Sequence, residues 1–182
     1  TETEGDLQAK YPQLQGILPM DITFIDSEEL LRRYPLCDAK EREYRITKEK
    51  KAVFIERIGA PLSDGLPHDK RAPDYDDWSL NGDILVYDPL LDIALELSSM
   101  GIRVDAESLK AQLKASHTEE RAALPFQKAV LAGELPFTIG GGIGQSRLCM
   151  FYLKKAHIGE VQCSLWPQKM IEECSVVHIP LL

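Results

Sequence analysis

The chain has 182 residues, with 21 Lys+Arg against 29 Asp+Glu, a formal net charge of −8, and 44% hydrophobic and 27% charged residues. That length and balance suit one domain with a sizeable core and exclude global disorder, while the acidity speaks against a protein built to grip a nucleic-acid backbone, a local basic pocket excepted. No apolar run approaches the roughly 20 residues that cross a bilayer, and Thr1-Glu2-Thr3-Glu4 has neither part of a signal peptide, so the expectation is no membrane and a cytoplasmic protein.

Cys37, Cys149, Cys163 and Cys174 form no CxxC pair and have no histidine at metal spacing, so four reduced thiols are expected. The first twenty residues are polar, broken by Pro12 and Pro19, and read as an entry segment. Ser27 to Arg33 is a short helix ended by Pro35. Asp38 to Lys50 is a charged helix with Asp38 and Glu41 as a capping-box-like start, polar on both faces and therefore expected on the surface. Ala52 to Ile58 is β-branched and aromatic, hence a strand. Gly59 to Gly82 reads as a long irregular loop.

Two strands follow, Asp83 to Tyr87 and Ile93 to Ser98, with Asp88-Pro89 as a turn signal. Strict alternation on the second puts Ile93, Leu95 and Leu97 on one face, and Ala94, Glu96 and Ser98 on the other. Gly101 to Val104 is a short strand, and Asp105 caps a helix through Leu109 and Leu113. Thr118 to Ala132 is helical with a break at Pro125. Leu135 to Ile139 is a strand, Gly140 to Gly144 a glycine turn, Gln145 to about Ala156 a helix, and Val161 to Trp166 a last strand. Hairpin-like strands without a run of βαβ units favour an α+β fold with an antiparallel sheet.

Three groups can carry chemistry. Gly140-Gly-Gly-Ile-Gly-Gln-Ser-Arg147 is neither a Walker A loop, since no Gly-Lys-[Ser/Thr] follows, nor the dinucleotide fingerprint, since Arg147 stands where the third glycine is needed. Glycines let a flat ligand approach the backbone, and Arg147 in the first turn of a helix adds a full charge to its positive end. The arrangement suits a purine along the glycines with a phosphate at Arg147, or is simply a tight β–α turn with a surface arginine. Arg71-Ala-Pro-Asp-Tyr-Asp-Asp-Trp78 fails as an EF-hand but can hold an ammonium group or a hydrated Mg²⁺ through Asp74, Asp76 and Asp77, or is a solvated acidic loop. Glu96, Ser98, Ser99 and Arg103 can bind a Mg²⁺-nucleotide and a carboxylate, or Glu96 and Arg103 can form a structural ion pair. The four histidines show no catalytic or metal pattern; His68 lies near Arg71 in the long loop.

Taken in order, Arg71 to Trp78, Leu80-Asn-Gly-Asp-Ile-Leu-Val86, Glu96-Leu-Ser-Ser-Met-Gly-Ile-Arg-Val-Asp105 and Thr138-Ile-Gly-Gly-Gly-Ile-Gly-Gln-Ser-Arg-Leu148 closely resemble ammonia-dependent asparagine synthetases, the type A aspartate–ammonia ligases. Weaker similarity in Ser27 to Pro35, Leu62 to Gly65 and His157 to Pro167 extends it over nearly the whole chain. The resemblance implies a class II aminoacyl-tRNA synthetase-like antiparallel sheet flanked by helices. It also implies a cytoplasmic homodimer that converts L-aspartate, ATP and ammonia to asparagine, AMP and pyrophosphate.

Carried over, Arg147 meets the phosphates and adenine, Gly140, Gly141 and Gly142 the ring, and Glu96 the Mg²⁺-ATP with Ser98 beside it. Arg103 and Ser99 hold the aspartate carboxylate, while Arg71, Asp76 and Asp83 line the aspartate and ammonia end. Two departures qualify this. The family extends upstream of Thr1, where the superfamily's first and second motifs lie, and it has a short extra stretch between Trp78 and Leu80. The expectation is one domain over 1–182, the C-terminal portion of a catalytic domain, whose remainder comes from another chain or from a segment outside this sequence; alone it is not expected to form a working site. The competing expectations are an aspartyl-tRNA synthetase relative and a catalytically inactive regulatory module.

Overall fold

A computed structural model describes all 182 residues. Helices α1 (Glu2–Lys10), α2 (Ser27–Arg33), α3 (Ala39–Lys50), α4 (Ala106–Ala115), α5 (Pro125–Leu131), α6 (Gln145–Tyr152) and α7 (Gln168–Val176) surround strands β1 (Thr23–Asp26), β2 (Ala52–Glu56), β3 (Asp76–Asp88), β4 (Ile93–Arg103) and β5 (Ile139–Ile143). The strands make one sheet in the order β1-β2-β3-β4-β5, parallel between β1 and β2 and antiparallel elsewhere. This is the α+β class expected, mixed at one edge.

Local chemistry sets several element starts. Asp26 Oδ1 accepts the Glu28 N–H at 2.8 Å to open α2, and Asp38 Oδ1 accepts the Glu41 N–H at 2.8 Å to open α3. Asp105 Oδ1 accepts the Ser108 N–H at 2.8 Å while Ser108 Oγ accepts the Asp105 N–H at 2.9 Å, a reciprocal cap that anchors α4.

Partner register sorts side chains onto two faces. On the front stand Asp83, paired with Ser99, and Leu85, paired with Glu96; on the back stand Ile84, paired with Ser98, and Val86, paired with Leu95. The register slips between Ile84 and Leu85, leaving Leu97 opposite no residue, so β4 carries a bulge there. Leu97 turns back into the core beside Leu95, Val86, Met150 and Phe151. Past the bulge the parity is inverted. Glu96 and Arg103, an odd number of residues apart, would point to opposite sides of an unbroken strand; here both point to the front. The simple alternation expected for β4 is corrected accordingly: Ser99 joins Glu96, and Ser98 does not.

Each face has its own core. Leu30 of α2 and Ile46 of α3 pack on Val53, Ile55 and Leu85 at the front, while Met150 and Phe151 of α6 pack on Ala52, Val86 and Leu95 at the back. Helices α4 and α5, inserted between β4 and β5, bury Leu109, Leu113 and Val130 against Val104. The front is therefore roofed by α2 and α3 at the β1–β2 end and remains accessible toward β4 and β5.

Several expectations need correction. Helix α3 is not a surface helix: Arg42, Glu43, Ile46 and Thr47 are buried, because its polar side chains find partners rather than water. Asp76 to Gly82 belongs to β3, not to the preceding loop. The glycines 140 to 142 are strand, not turn, paired to Gly101, Met100 and Ser99. Val161 to Trp166 forms no strand, whereas α1, β1 and α7 lie where none was expected. The Pro125 restart holds: a 3-10 turn at Glu119–Ala123 precedes α5. All four cysteines are free, and no helix is long and apolar enough to cross a membrane.

Candidate active site

The front face of β3 and β4 carries two crossed ion pairs. Arg103, at the end of β4, pairs with Asp76 at the start of β3, and Arg71 pairs with Asp83 farther along the same strand. The side chains of Asp76 and Asp83 are only 10% and 8% exposed, so neither carboxylate can be left without a counter-charge cheaply. Arg103 also donates to the Tyr75 hydroxyl at 3.0 Å and lies over the Tyr75 ring, 4.0 Å from its centroid. Arg71 donates to Ser99 Oγ at 3.2 Å. Burial pushes the Asp83 carboxyl above its ordinary range, and the Arg71 guanidinium and Ser99 hydroxyl offset this only in part.

Two glycines make this geometry possible. A Cβ at Gly101 would stand 2.9 Å from Asp76 Cγ, and one at Gly140 would strike the Arg103 guanidinium. Gly142, on the same face, has nothing within 4 Å of where a Cβ would be. Gly142 thus keeps the front of β5 flat and open, as a planar ligand requires, whereas Gly140 makes room for the Arg103 guanidinium and so is corrected from a ring contact. Gly141 is on the back against Met100, which corrects the grouping of all three glycines on one ligand face.

The far end of the face is built by Glu96 and Arg147. Arg147, in the first turn of α6, reaches round the sheet edge, donating to the Glu96 carbonyl at 3.1 Å with its guanidinium 3.6 Å from Glu96 Oε1. Both side chains are well exposed, so this pair is open to exchange for a ligand. Ser98 is not beside Glu96. The Leu97 bulge turns it to the back, where its buried hydroxyl donates to the Gly142 carbonyl at 2.9 Å and ties β5 to β4. Arg103 and Arg147 nevertheless address the same face, one at each end of the accessible front of β4.

Four residues join the site without a clear sign in the sequence: Lys40, Glu43, Tyr75 and Gln112. Lys40 Nζ donates to both Glu43 carboxylate oxygens, at 2.9 and 3.2 Å. Burial pulls the Lys40 ammonium down, but Glu43, Asp69 and Glu96 outweigh it, so the amine stays above its ordinary range. Burial likewise pushes Glu43 up, yet hydrogen bonds from His68 and Lys40 more than offset it, and the carboxyl lies below its ordinary range. His68 Nε2 is 3.2 Å from Glu43 Oε1, and both side chains are buried. The position of Glu43 and Lys40 on a helix with no apolar stripe hid them; His68 beside Arg71 was the only hint.

No three His, Cys, Asp or Glu side chains gather closely enough to cage a metal ion. Glu96 is a single, accessible carboxylate. That donor set fits Mg²⁺ only as the ion is held in nucleotide sites, mostly by phosphates and water with one or two carboxylates. The largest cavity, about 560 Å³, is elsewhere: it opens on the back of the sheet against Phe54, Leu80, Met100, Ile102, Ile139 and Ile143. Its lining mixes these apolar side chains with Ser79, Asn81, Ser98 and one carboxylate, Glu56, and lacks the paired charges of the front.

The sequence model of the family described as aspartate-ammonia ligase matches residues 1–178. The aspartate–ammonia ligase of Clostridium perfringens is 61% identical over 180 residues, 99% of this chain and 54% of that protein. That of Lactobacillus johnsonii is 60% identical over 182 residues, 100% of this chain and 54% of that protein. The chain thus spans about half the length of the curated relatives it matches. Among solved structures, an aspartyl-tRNA synthetase from Entamoeba histolytica aligns with a TM-score of 0.59 at 14% identity, over 87% of this chain and 36% of that one. The asparaginyl-tRNA synthetase of Pyrococcus horikoshii gives 0.55 at 18% identity, over 85% of this chain and 39% of that one. At these identities the likeness concerns the fold, which is that of the class II synthetase core.

Proposed function

The chain belongs to the aspartate–ammonia ligase family, and on that premise we propose that it carries the aspartate- and nucleotide-binding face of an enzyme that amidates L-aspartate with ammonia, using ATP. The substrate's side-chain carboxylate attacks the α-phosphorus of ATP, the bond to pyrophosphate breaks, and a β-aspartyl adenylate forms. Ammonia then attacks the acyl carbon and AMP departs with the bonding electrons. Neither step needs a protein nucleophile. Both need alignment and neutralisation of phosphate charge.

The observation that carries this reading is the arrangement of opposite charges on one face: Arg71 with Asp83, Arg103 with Asp76, Glu96 with Arg147. Free aspartate has two carboxylates and one ammonium, and this row offers complementary partners for all three. Arg103, with Ser99 nearby, receives the side-chain carboxylate, and Asp76 receives the α-ammonium or the incoming ammonium. Arg71 and Asp83 close the aspartate end. Gly142 lies under the adenine, Gly140 makes room for the Arg103 guanidinium, and Arg147 takes the phosphates. Glu96 would hold Mg²⁺, whose contribution when bound is to neutralise phosphate oxygens. Ser98 is given a structural role, the tie to β5, in place of a ligand contact.

We also read the chain as the C-terminal portion of the catalytic domain, acting in the cytoplasm as part of a homodimer and completed by the remaining family length. The test is asparagine formation from aspartate, ammonia and ATP, with AMP and pyrophosphate counted alongside, for the chain alone and with the complementary portion of a relative. Stoichiometric AMP in the completed assembly supports the reading. ADP as the product, or asparagine made without ATP cleavage, contradicts it.

A further inference from the structure

Between Asp76 and Asn81, strand β3 has no partners on β4. Where the ladder is interrupted, the buried residues Asp76 and Trp78 must satisfy their peptide groups elsewhere. One side chain does so. Gln112, on the last turn of α4 and 6% exposed, accepts the Trp78 N–H on Oε1 at 2.8 Å. Its Nε2 donates to the Pro73 carbonyl at 2.9 Å and to the Asp76 carbonyl at 3.0 Å. Both amide hydrogens and the amide oxygen are thus spent on one six-residue stretch of backbone, and no group outside that stretch is served.

Resting on the reading of Arg103 as the aspartate anchor, we propose that Gln112 is a positioning residue for aspartate binding, acting through the segment Pro73–Trp78. That segment carries both partners of Arg103: the Asp76 carboxylate and the Tyr75 ring and hydroxyl. Gln112 is locked in turn, because α4 starts at the reciprocal cap of Asp105 and Ser108, two residues beyond Arg103 itself. The amide therefore measures the distance between the two ends of the Arg103 environment. A carboxylate in its place would set oxygens against two carbonyls, and an apolar side chain would leave three peptide groups without these partners. Asp74 adds a second tie to the same segment, bonded to Gln127 and 2.7 Å from Arg121. It holds the segment's outer end and does not touch the carbonyl of Asp76.

The test compares the wild-type chain with Gln112→Met, each completed by the complementary portion of a relative, by amide hydrogen exchange and by calorimetric titration of L-aspartate and, separately, ATP. Losing the bond at Trp78 is expected to speed exchange of its amide by about tenfold or more, while Val53 in the sheet core stays within about twofold. Aspartate affinity falls by about tenfold, and ATP affinity stays within about twofold, because Arg147 and Glu96 are untouched. An unchanged Trp78 exchange rate overturns the proposal, as does a loss of ATP affinity equal to that of aspartate, which is the mark of a merely structural residue. If Gln112→Met does not fold, Gln112→Ala, which removes the acceptor from Trp78 and lets water reach the three peptide groups, is held to the same criteria. A wild-type chain that binds no aspartate even when completed by the complementary portion of a relative counts against the Arg103 assignment instead. The Trp78 exchange rate then decides alone whether Gln112 holds the segment, and a rate that does not rise overturns it.

Discussion

The Arg103–Asp76 pair allows the sharpest quantitative test. Two unit charges at the usual charge-assisted contact of about 2.8 Å, with an effective dielectric of about 20, attract by about 6 kcal/mol before desolvation is counted. Arg103 and Asp76 are 21% and 10% exposed, so much of that gross attraction is offset by stripping water from two ions. A coupling of about 1.5–3 kcal/mol remains once this is allowed for. The perturbation is a double-mutant cycle with Arg103→Met, Asp76→Asn and the pair, read by urea unfolding monitored in the far ultraviolet. Arg103→Met alone is expected to cost about 2–4 kcal/mol, since it leaves the Asp76 carboxylate buried and unpaired, and the double variant is expected to recover part of that loss. A coupling under about 0.5 kcal/mol would show the two groups to be independent and would refute the crossed-pair description of the site.

Other consequences follow from the same geometry. Gly140→Ala puts a methyl group into the Arg103 guanidinium; aspartate binding measured by calorimetry should weaken by about tenfold with ATP binding little changed. Arg147→Ala should lower ATP affinity by about tenfold or more yet shift unfolding by less than about 1 kcal/mol, because its pair with Glu96 is exposed. Glu43 titrates below its ordinary 4.5 in the native state, so its contribution is complete above that pH and is lost as pH falls through the lower native value. The urea midpoint should therefore drop steeply in acid, and Glu43→Gln should flatten that drop; an identical acid profile in the variant would contradict the role given to His68 and Lys40.

How much of this was legible in the residues depends on the element. Capping chemistry at Asp38 and Asp105 and the restart at Pro125 were readable, because they involve only near neighbours. The ligand-bearing motifs were readable as resemblances, and Arg71, Asp76, Asp83, Glu96, Ser99, Arg103 and Arg147 do gather on one face. The misplacement of Ser98 has a specific cause: alternation assumes an unbroken ladder, and whether Leu97 bulges is settled by pairing with β3, which no local pattern encodes. The glycine run was read as a turn because glycine is a weak strand former. Its pairing with Ser99, Met100 and Gly101 overrides that preference, and the missing side chains are what let Arg103 pass. Helix α3 looked like a surface helix because its buried residues are charged, and only the positions of Lys40 and His68 explain how Glu43 can be covered. Gln112 gave no signal, since a glutamine on an amphipathic helix is ordinary until the strand it serves is seen to lack a partner.

Two arginines at opposite ends of β4, Arg103 and Arg147, serve a single elongated ligand in the proposed site. A non-hydrolysable analogue of the aspartyl adenylate, titrated against the wild-type chain, Arg103→Met and Arg147→Ala, each completed by the complementary portion of a relative, tests this directly. Both variants are expected to lose affinity for the analogue, with only Arg147→Ala weakening AMP and only Arg103→Met weakening aspartate. Full affinity for the analogue in either variant would contradict this.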